Sequence, residues 1–339
     1  MDQVKLVVDA MGGDDAPGVV LEGVEAAVRE DPGIVVVLTG PDEVITPFAA
    51  SHERVIAHPT TEVISMSEHP AQAVRTKKDS SIVVGCRLVA DGEAQGFYSA
   101  GSTGAVMAAA TLVMGRIKGV RRPMTVVPLP GLKGYTAFGD TGANADCKPE
   151  YIVQFALMGR AYAQAVLHVE DPKVALLNIG TEETKGSQFA QKCHEAMKGT
   201  VPGFVGNAEG YDLAMGTYDV VVTDGFTGNV ALKTFEGSAK AITKGVAKTL
   251  MSTVTSEEEG AAIQGALQKF GSSMSADKLG GAQLLGVNGV CLKGHGNSSA
   301  KAICSGVHAT ADAIRHNLIG LMGEAIAQQA KAPEAGNGE

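Results

Sequence analysis

Tryptophan is absent from this 339-residue chain, and aromatic residues together make up only 4% of it. With 43 glycines and 45% hydrophobic residues, that scarcity suits alanine-packed helices and many tight βα turns better than a β-sandwich. The five cysteines, Cys86, Cys147, Cys193, Cys291 and Cys304, are scattered and form no CxxC pair. They offer neither a disulfide framework nor a zinc knuckle, and no metal site or cofactor is expected. Positive charge is also short: 28 Lys and Arg against 37 Asp and Glu leave a net charge of −9, which excludes a general nucleic-acid binder. No apolar run reaches the length of a membrane span, and the opening MDQVKLVVDAMGG holds no charged-then-apolar leader. A soluble, cytoplasmic protein is expected.

What is present is an alternation of strand-like and helical stretches. Val4 to Val8 is a continuous apolar run that enters a turn containing Asp9, Gly12, Gly13 and Pro17, after which Val20, Val24, Ala27 and Val28 recur at helical spacing. Further strands are predicted at Ile34 to Leu38, Arg54 to Ala57, Met124 to Leu129, Tyr135 to Phe138, Val174 to Ile179, Val220 to Thr223 and Val290 to Lys293. Long helices are predicted from about Glu150 to His168 and from the last polar loop to about Gln329. The pattern predicts an α/β fold, a Rossmann-like open and mostly parallel sheet with flanking helices, as one catalytic domain over 1–330 with a disordered tail at 331–339. A helical hairpin at about 230–275 interrupts the rhythm. Its first helix carries Leu232, Phe235, Ala239, Ile242, Val246 and Leu250 on one face and Lys240, Lys244 and Lys248 on another. Packing between subunits is the first reading of this hairpin, with partner docking or membrane contact as alternatives.

The chain centres on Phe97 to Ala105, FYSAGSTGA, a short strand followed by Gly101, Ser102, Thr103 and Gly104 and then an alanine-rich helix. Free N–H groups at such a helix start favour an anion, and Ser99, Ser102 and Thr103 add hydroxyls, so a phosphate fits. An ordinary N-capped turn fits equally well on these residues alone. Between Thr60 and Ser81, Arg75, Lys77 and Lys78 make either an anion-facing loop or a solvated charge run. Polar loops also follow the strands at Asp9, Asp140 and Thr181. In an open α/β sheet ligands bind beyond the carboxyl ends of strands, so these loops are expected to converge on one crevice with Ser99.

Taken in order, DAMGGDDAP, RTKKDSS, SAGSTGA, DTGANADCKPE, NIGTEETKG, TDGFTGN, GGAQLLGVNG and HGNSS resemble the bacterial phosphate acyltransferases of phospholipid synthesis, the PlsX family. The resemblance runs from Val4 to the last helix. It implies transfer of a long-chain acyl group from acyl carrier protein to inorganic phosphate, giving acyl-phosphate for phosphatidic acid synthesis. It further implies a fold related to the isocitrate/isopropylmalate dehydrogenases and phosphotransacetylase, a homodimer, and a membrane glycerol-3-phosphate acyltransferase as downstream partner. Peripheral membrane contact through that partner or the hairpin is part of the same expectation. The family's activity-linked lysine falls on Lys185, within an intact TEE-x-KG pattern.

The residues agree with that chemistry. Phosphate near neutral pH is itself a nucleophile and a thiolate is a fair leaving group, so no activated serine is needed, and no catalytic triad is evident. The reaction needs an anion cradle, charge compensation for the oxyanion and positioning. Gly101 to Gly104 with Arg75 or Lys78 would supply the cradle, Lys185 would steady phosphate or oxyanion, and Asn144, Asn229 and His295 are candidate orienting donors. A lone Cys147 without a paired His is a poor acyl acceptor. A dehydrogenase of the related fold would need a GxGxxG fingerprint and a carboxylate cluster, which this sequence lacks.

Overall fold

The computed structural model describes residues 3–273 and 280–331. β1 (Val4–Asp9), α1 (Gly18–Glu30), β2 (Ile34–Gly40), α2 (Asp42–Ala50) and β3 (Val55–Pro59) come first. They lead into α3 (Pro70–Thr76), α4 (Ser81–Ala90), β4 (Gly96–Ser99) and α5 (Thr103–Ala109), which a π-helical turn at Ala110–Met114 prolongs. β5 (Met124–Gly131) and β6 (Gly134–Gly139) form a β-hairpin. α6 (Pro149–Ala165), β7 (Val174–Leu177), α7 (Gln188–Met197), β8 (Phe204–Ala208), α8 (Gly210–Met215) and β9 (Val220–Val222) follow. The helical hairpin is α9 (Gly225–Met251) with α10 (Glu257–Ser273), and the chain ends in β10 (Ala282–Leu285), β11 (Val290–Lys293), α11 (Ala300–Arg315) and α12 (Leu318–Lys331).

All these strands join one 11-stranded sheet in the order β3-β2-β1-β4-β11-β10-β5-β6-β9-β7-β8. Parallel pairing dominates, as the apolar runs predict. The exceptions sit in the middle: β10 is antiparallel to both β11 and β5, and β5 is antiparallel to β6. Strands β6, β9, β7 and β8 therefore run opposite to β1 to β4 and β11. The polar loops beyond strand carboxyl ends consequently leave the sheet at two opposite edges, which corrects the single crevice expected from sequence.

Both faces of the sheet are covered, so most strand residues are apolar. On the first half, Leu6, Val8, Tyr98 and Leu292 pack on α1 and α11, while Val7, Phe97 and Cys291 point the other way onto α4 and α5. On the second half, Met124, Val126, Val220 and Val222 pack on α6. Val127, Leu129, Phe138 and Val221 face Leu232 and Phe235 of α9. Each such fully buried side chain contributes about 1.5–3 kcal/mol.

The differences from the sequence reading have local causes. Helix α3 lies inside the charged 60–81 stretch, where Pro70 opens it and only Ala73 and Val74 are buried, too short an apolar stripe to register as a helix. Strands β8 and β10 are four or five residues long and carry Gly206, Asn207 and Gln283, so neither reads as a β-branched run. Strand β7 stops at Leu177, two residues early. The last helix is two helices, divided at Asn317, whose φ of 52° ends the first. Of the expected tail at 331–339, Lys331 closes α12 and 332–339 lie outside the described residues.

Candidate active site

At the first edge three loops are held together by side-chain and backbone hydrogen bonds. Asp9, at the end of β1, accepts a hydrogen bond from the Ser99 hydroxyl (2.7 Å) and from the Met11 amide (3.1 Å), and Ser99 Oγ in turn accepts from the Gly101 amide (3.0 Å). Gly12 lies against this turn so closely that a side chain there would meet Gly101 N and Ser99 Oγ at 2.8 Å. The loop after β11 joins them: Gly294 N donates to Ser99 O (3.0 Å) and Asp14 N to Gly296 O (2.7 Å), beside Gly13. Burial holds the Asp9 carboxyl above its ordinary range, and hydrogen bonds from Ser81, Ser99 and Met11 oppose that shift.

The structure thus brings Asp9, Gly12, Gly13, Ser99, Gly101, Ser102, Thr103, Gly104 and His295 together. Ser99, read from sequence as a phosphate donor, spends its hydrogen on Asp9 and acts as a brace. Ser102 is the residue before α5, buried, with no side-chain capping bond, and Thr103 is exposed. Pro70 of α3 packs on Gly104, so α3 adjoins this loop. Arg75 and Lys78, on and just after α3, are exposed, while Lys77 between them is tied to Glu68 (2.8 Å) and to Val63 O (2.8 Å).

Sequence reasoning missed Lys293, the last residue of β11. It stands in register with Ser99 across the parallel pair, half-buried, with its ammonium pushed below the ordinary lysine range by burial; Asp14 opposes that shift and Lys233 of α9 adds to it. Its position one residue before the Gly294 turn was the available signal. His295 itself is exposed, and the Ser298 hydroxyl donates to its backbone carbonyl (2.7 Å), while Ser299 caps α11.

At the second edge Asp140 is fully buried and is the acceptor for six donors. Its Oδ1 receives Thr125 N and Oγ1, Gly142 N and Ala143 N, and its Oδ2 receives Asn144 N and Nδ2, at 2.7–3.2 Å. Asn144 Nδ2 also donates to Pro123 O (2.8 Å), and Asn229 Nδ2 donates to Thr141 O (3.1 Å). Asn144 and Asn229, expected as orienting donors, use their amide N–H groups to build this loop. Lys185 belongs to this edge too. Asn178 receives the Ile179 amide and donates to Lys185 O, holding the 178–186 loop closed, and the Lys185 side chain is exposed and outside any ion pair among the described residues. A cavity of about 370 Å³ lies between this loop and the start of α9, touching Asn178, Ser187, Asp224 and Thr227. The Asp224 side chain caps α9 by accepting from Thr227 N (2.9 Å).

The hydrogen bonds of each group stay within it. Helix α9 is the element common to both: it starts against Asn144 and carries Asn229 in its first turns, and farther along it walls a cleft of about 550 Å³ with β5 and the loop after β11. Val127, Leu129, Leu232, Phe235, Lys240 and His295 are among the residues lining that cleft.

All five cysteines are free, and burial raises every thiol, Cys147, Cys193 and Cys291 to about 12 and Cys304 to about 11. None is a thiolate near neutral pH. Two groups of metal-type side chains, Glu30 with Cys304 and His308, and His168 with Asp312 and His316, lie on or just beyond helices and not on the strand-end loops.

Opposed half-sheets with glycine-rich loops at the strand ends are the features of the fold to compare with solved structures. The fold is that of the phosphotransacylases: the crystal structure of a phosphotransacetylase from Streptococcus pyogenes matches 92% of this chain and 94% of its own with a TM-score of 0.61 at 17% identity. A branched-chain phosphotransacylase from Enterococcus faecalis V583 matches 92% and 100% with a TM-score of 0.58 at 13% identity. The chain belongs to the family described as fatty acid synthesis protein, whose model matches residues 4–321. Proteins named phosphate acyltransferase are similar over nearly the whole length. That of Anaeromyxobacter sp. (strain K) is 46% identical over 327 residues, 95% of this chain and 90% of that one, and that of Staphylococcus epidermidis is 43% identical over 328 residues, 96% and 100%. The chain is an acyltransferase.

Proposed function

We propose that this enzyme transfers a long-chain acyl group from acyl carrier protein to inorganic phosphate, as a homodimer, and that the acyl-phosphate product feeds phosphatidic acid synthesis through a membrane glycerol-3-phosphate acyltransferase. The single observation that supports this best is the first-edge cluster: three glycine loops locked together by Asp9 and Ser99 around the start of α5, with Ser102, Thr103, Lys293 and His295 beside it. Backbone N–H groups and hydroxyls there suit a tetrahedral oxyanion. A phosphate oxygen attacks the thioester carbon, the C–O bond forms, the carbonyl becomes an oxyanion, and the C–S bond then breaks. The carrier thiolate leaves and takes a proton from solvent. Lys293, beside the cradle, compensates the developing charge, Arg75 and Lys78 draw phosphate in, and no cysteine is acylated; Lys185, on the second-edge loop, has its expected role tested by Lys185→Ala in the same assay.

Incubation with hexadecanoyl carrier protein, with and without phosphate, and trapping with hydroxylamine tests this. Phosphate-dependent hydroxamate with no acyl adduct on the intact protein is expected. An acyl-enzyme by mass spectrometry, or transfer that ignores phosphate, overturns it. Competition between acyl carrier protein and acyl-coenzyme A as donor identifies the carrier.

A further inference from the structure

We infer that the cleft between β5 and α9 is the binding groove for the fatty chain of the acyl donor; this rests on the acyl-transfer reading above. Its walls are Val127 and Leu129 from β5, Leu232, Phe235 and Ala239 from α9, and it includes His295 of the loop after β11. One end of an apolar channel is therefore the same loop that completes the proposed anion cradle, the continuity a substrate with a polar head and an apolar tail requires. Leu232 to Lys244, all along the cleft, span about 18 Å of helix, a length suited to a long alkyl chain and wasted on an acetyl group.

The lip carries the complement of an anionic carrier. Lys240 and Lys244 line the cleft one helical turn apart, and Glu236, the acidic residue on the same wall, is paired with Lys233 at 2.8 Å, so a negatively charged carrier protein docking there delivers its chain along the apolar wall. The buried β5 side of the groove is already part of the core that holds α9, so it is a preformed surface and not one that must fold around the ligand. Each methylene moved from water to such a wall is worth about fourfold in affinity. The groove thereby sets chain-length preference, while the first-edge loops carry out the transfer.

The absence of tryptophan gives a direct test. Phe235→Trp places the sole indole in the groove wall. Saturable quenching of its emission by brominated octadecanoate, with little effect from a brominated four-carbon acid at equal concentration, is expected. Absence of quenching, or equal quenching by both, overturns the assignment whether or not the protein turns over acyl donors, so this readout fails separately from the proposed reaction. In turnover assays Ala239→Trp fills the groove. The kcat/KM ratio for hexadecanoyl over butanoyl carrier protein falls at least tenfold, with the unfolding midpoint checked by calorimetry; an unchanged ratio means that another element, or the partner subunit, houses the chain.

Discussion

Asp9 and Asp140 occupy equivalent places at the ends of β1 and β6, yet they do different things. Asp9 is buried with few donors and bridges two loops through Ser99, whereas Asp140 gathers six donors from its own turn and from Thr125. Ser99→Ala leaves a buried carboxyl short of a partner, and a loss of about 1–3 kcal/mol in urea unfolding is expected, with a raised KM for phosphate as the first-edge loops loosen. Asp140→Ala orphans several buried N–H groups at once and costs about 3–5 kcal/mol by the same measurement. Cys147 is the counter-case: with its thiol pushed up to about 12, chiefly by burial, Cys147→Ser keeps kcat within about twofold, and iodoacetamide at neutral pH labels it slowly. These roles were only half legible. The polar turns announce themselves in sequence through Gly, Asp and Asn, but whether a given Ser, Asn or Asp faces a ligand or its own backbone depends on which loop lies opposite. For Ser99, Asn144 and Asn229 the neighbouring loop decided.

Among the elements, α11 is clamped to the turn between α1 and β2 by an ion pair. Arg315 reaches Asp31 with Nη1 at 2.6 Å and Nη2 at 3.2 Å, and Asp31 also receives the Gly33 amide (2.8 Å). The Arg315 guanidinium, by hydrogen bonding first, holds the Asp31 carboxyl below its ordinary value. A depressed folded value means that the stabilisation is present above the unfolded value of about 3.8 and is lost as pH falls through the lower folded one. Arg315→Leu is therefore expected to lower the unfolding free energy by about 1–2 kcal/mol at pH 7, with the difference from the parent shrinking toward zero in acid below that range. The break that follows was invisible to periodicity because α11 and α12 share an apolar pattern and only His316 and the left-handed Asn317 separate them. Asn317→Val, which forces a β-branched side chain into φ of 52°, costs about 1–2 kcal/mol, while Asn317→Gly costs little; thermal unfolding of the pair distinguishes a conformational cause from lost contacts.

For the whole molecule, the helical hairpin exposes a run of large apolar side chains. Ile242, Val246, Leu250 and Phe270 are 64, 45, 39 and 49% exposed, and together with Ile263 and Leu267 they line a cavity of about 370 Å³ between α9 and α10. Among the described residues no helix is long and apolar enough to cross a membrane. If the face packs against a second copy, Val246→Glu with Leu250→Glu converts a dimer into a monomer by light scattering; unchanged mass together with lost flotation on anionic vesicles assigns the face to lipid instead.

The sequence by itself determined the α/β class, the loops at strand ends, the hairpin and the family, because each rests on local chemistry: apolar runs, glycine at turns, amphipathic spacing, and motifs in a fixed order. Only the tertiary structure decided that the strand directions reverse through β10 and β5, splitting those loops between two edges, and that Lys293 stands beside Ser99. Strand pairing joins residues more than a hundred positions apart through backbone hydrogen bonds that any side chain can make. No local pattern in the chain encodes which strand lies next to which, or in what direction.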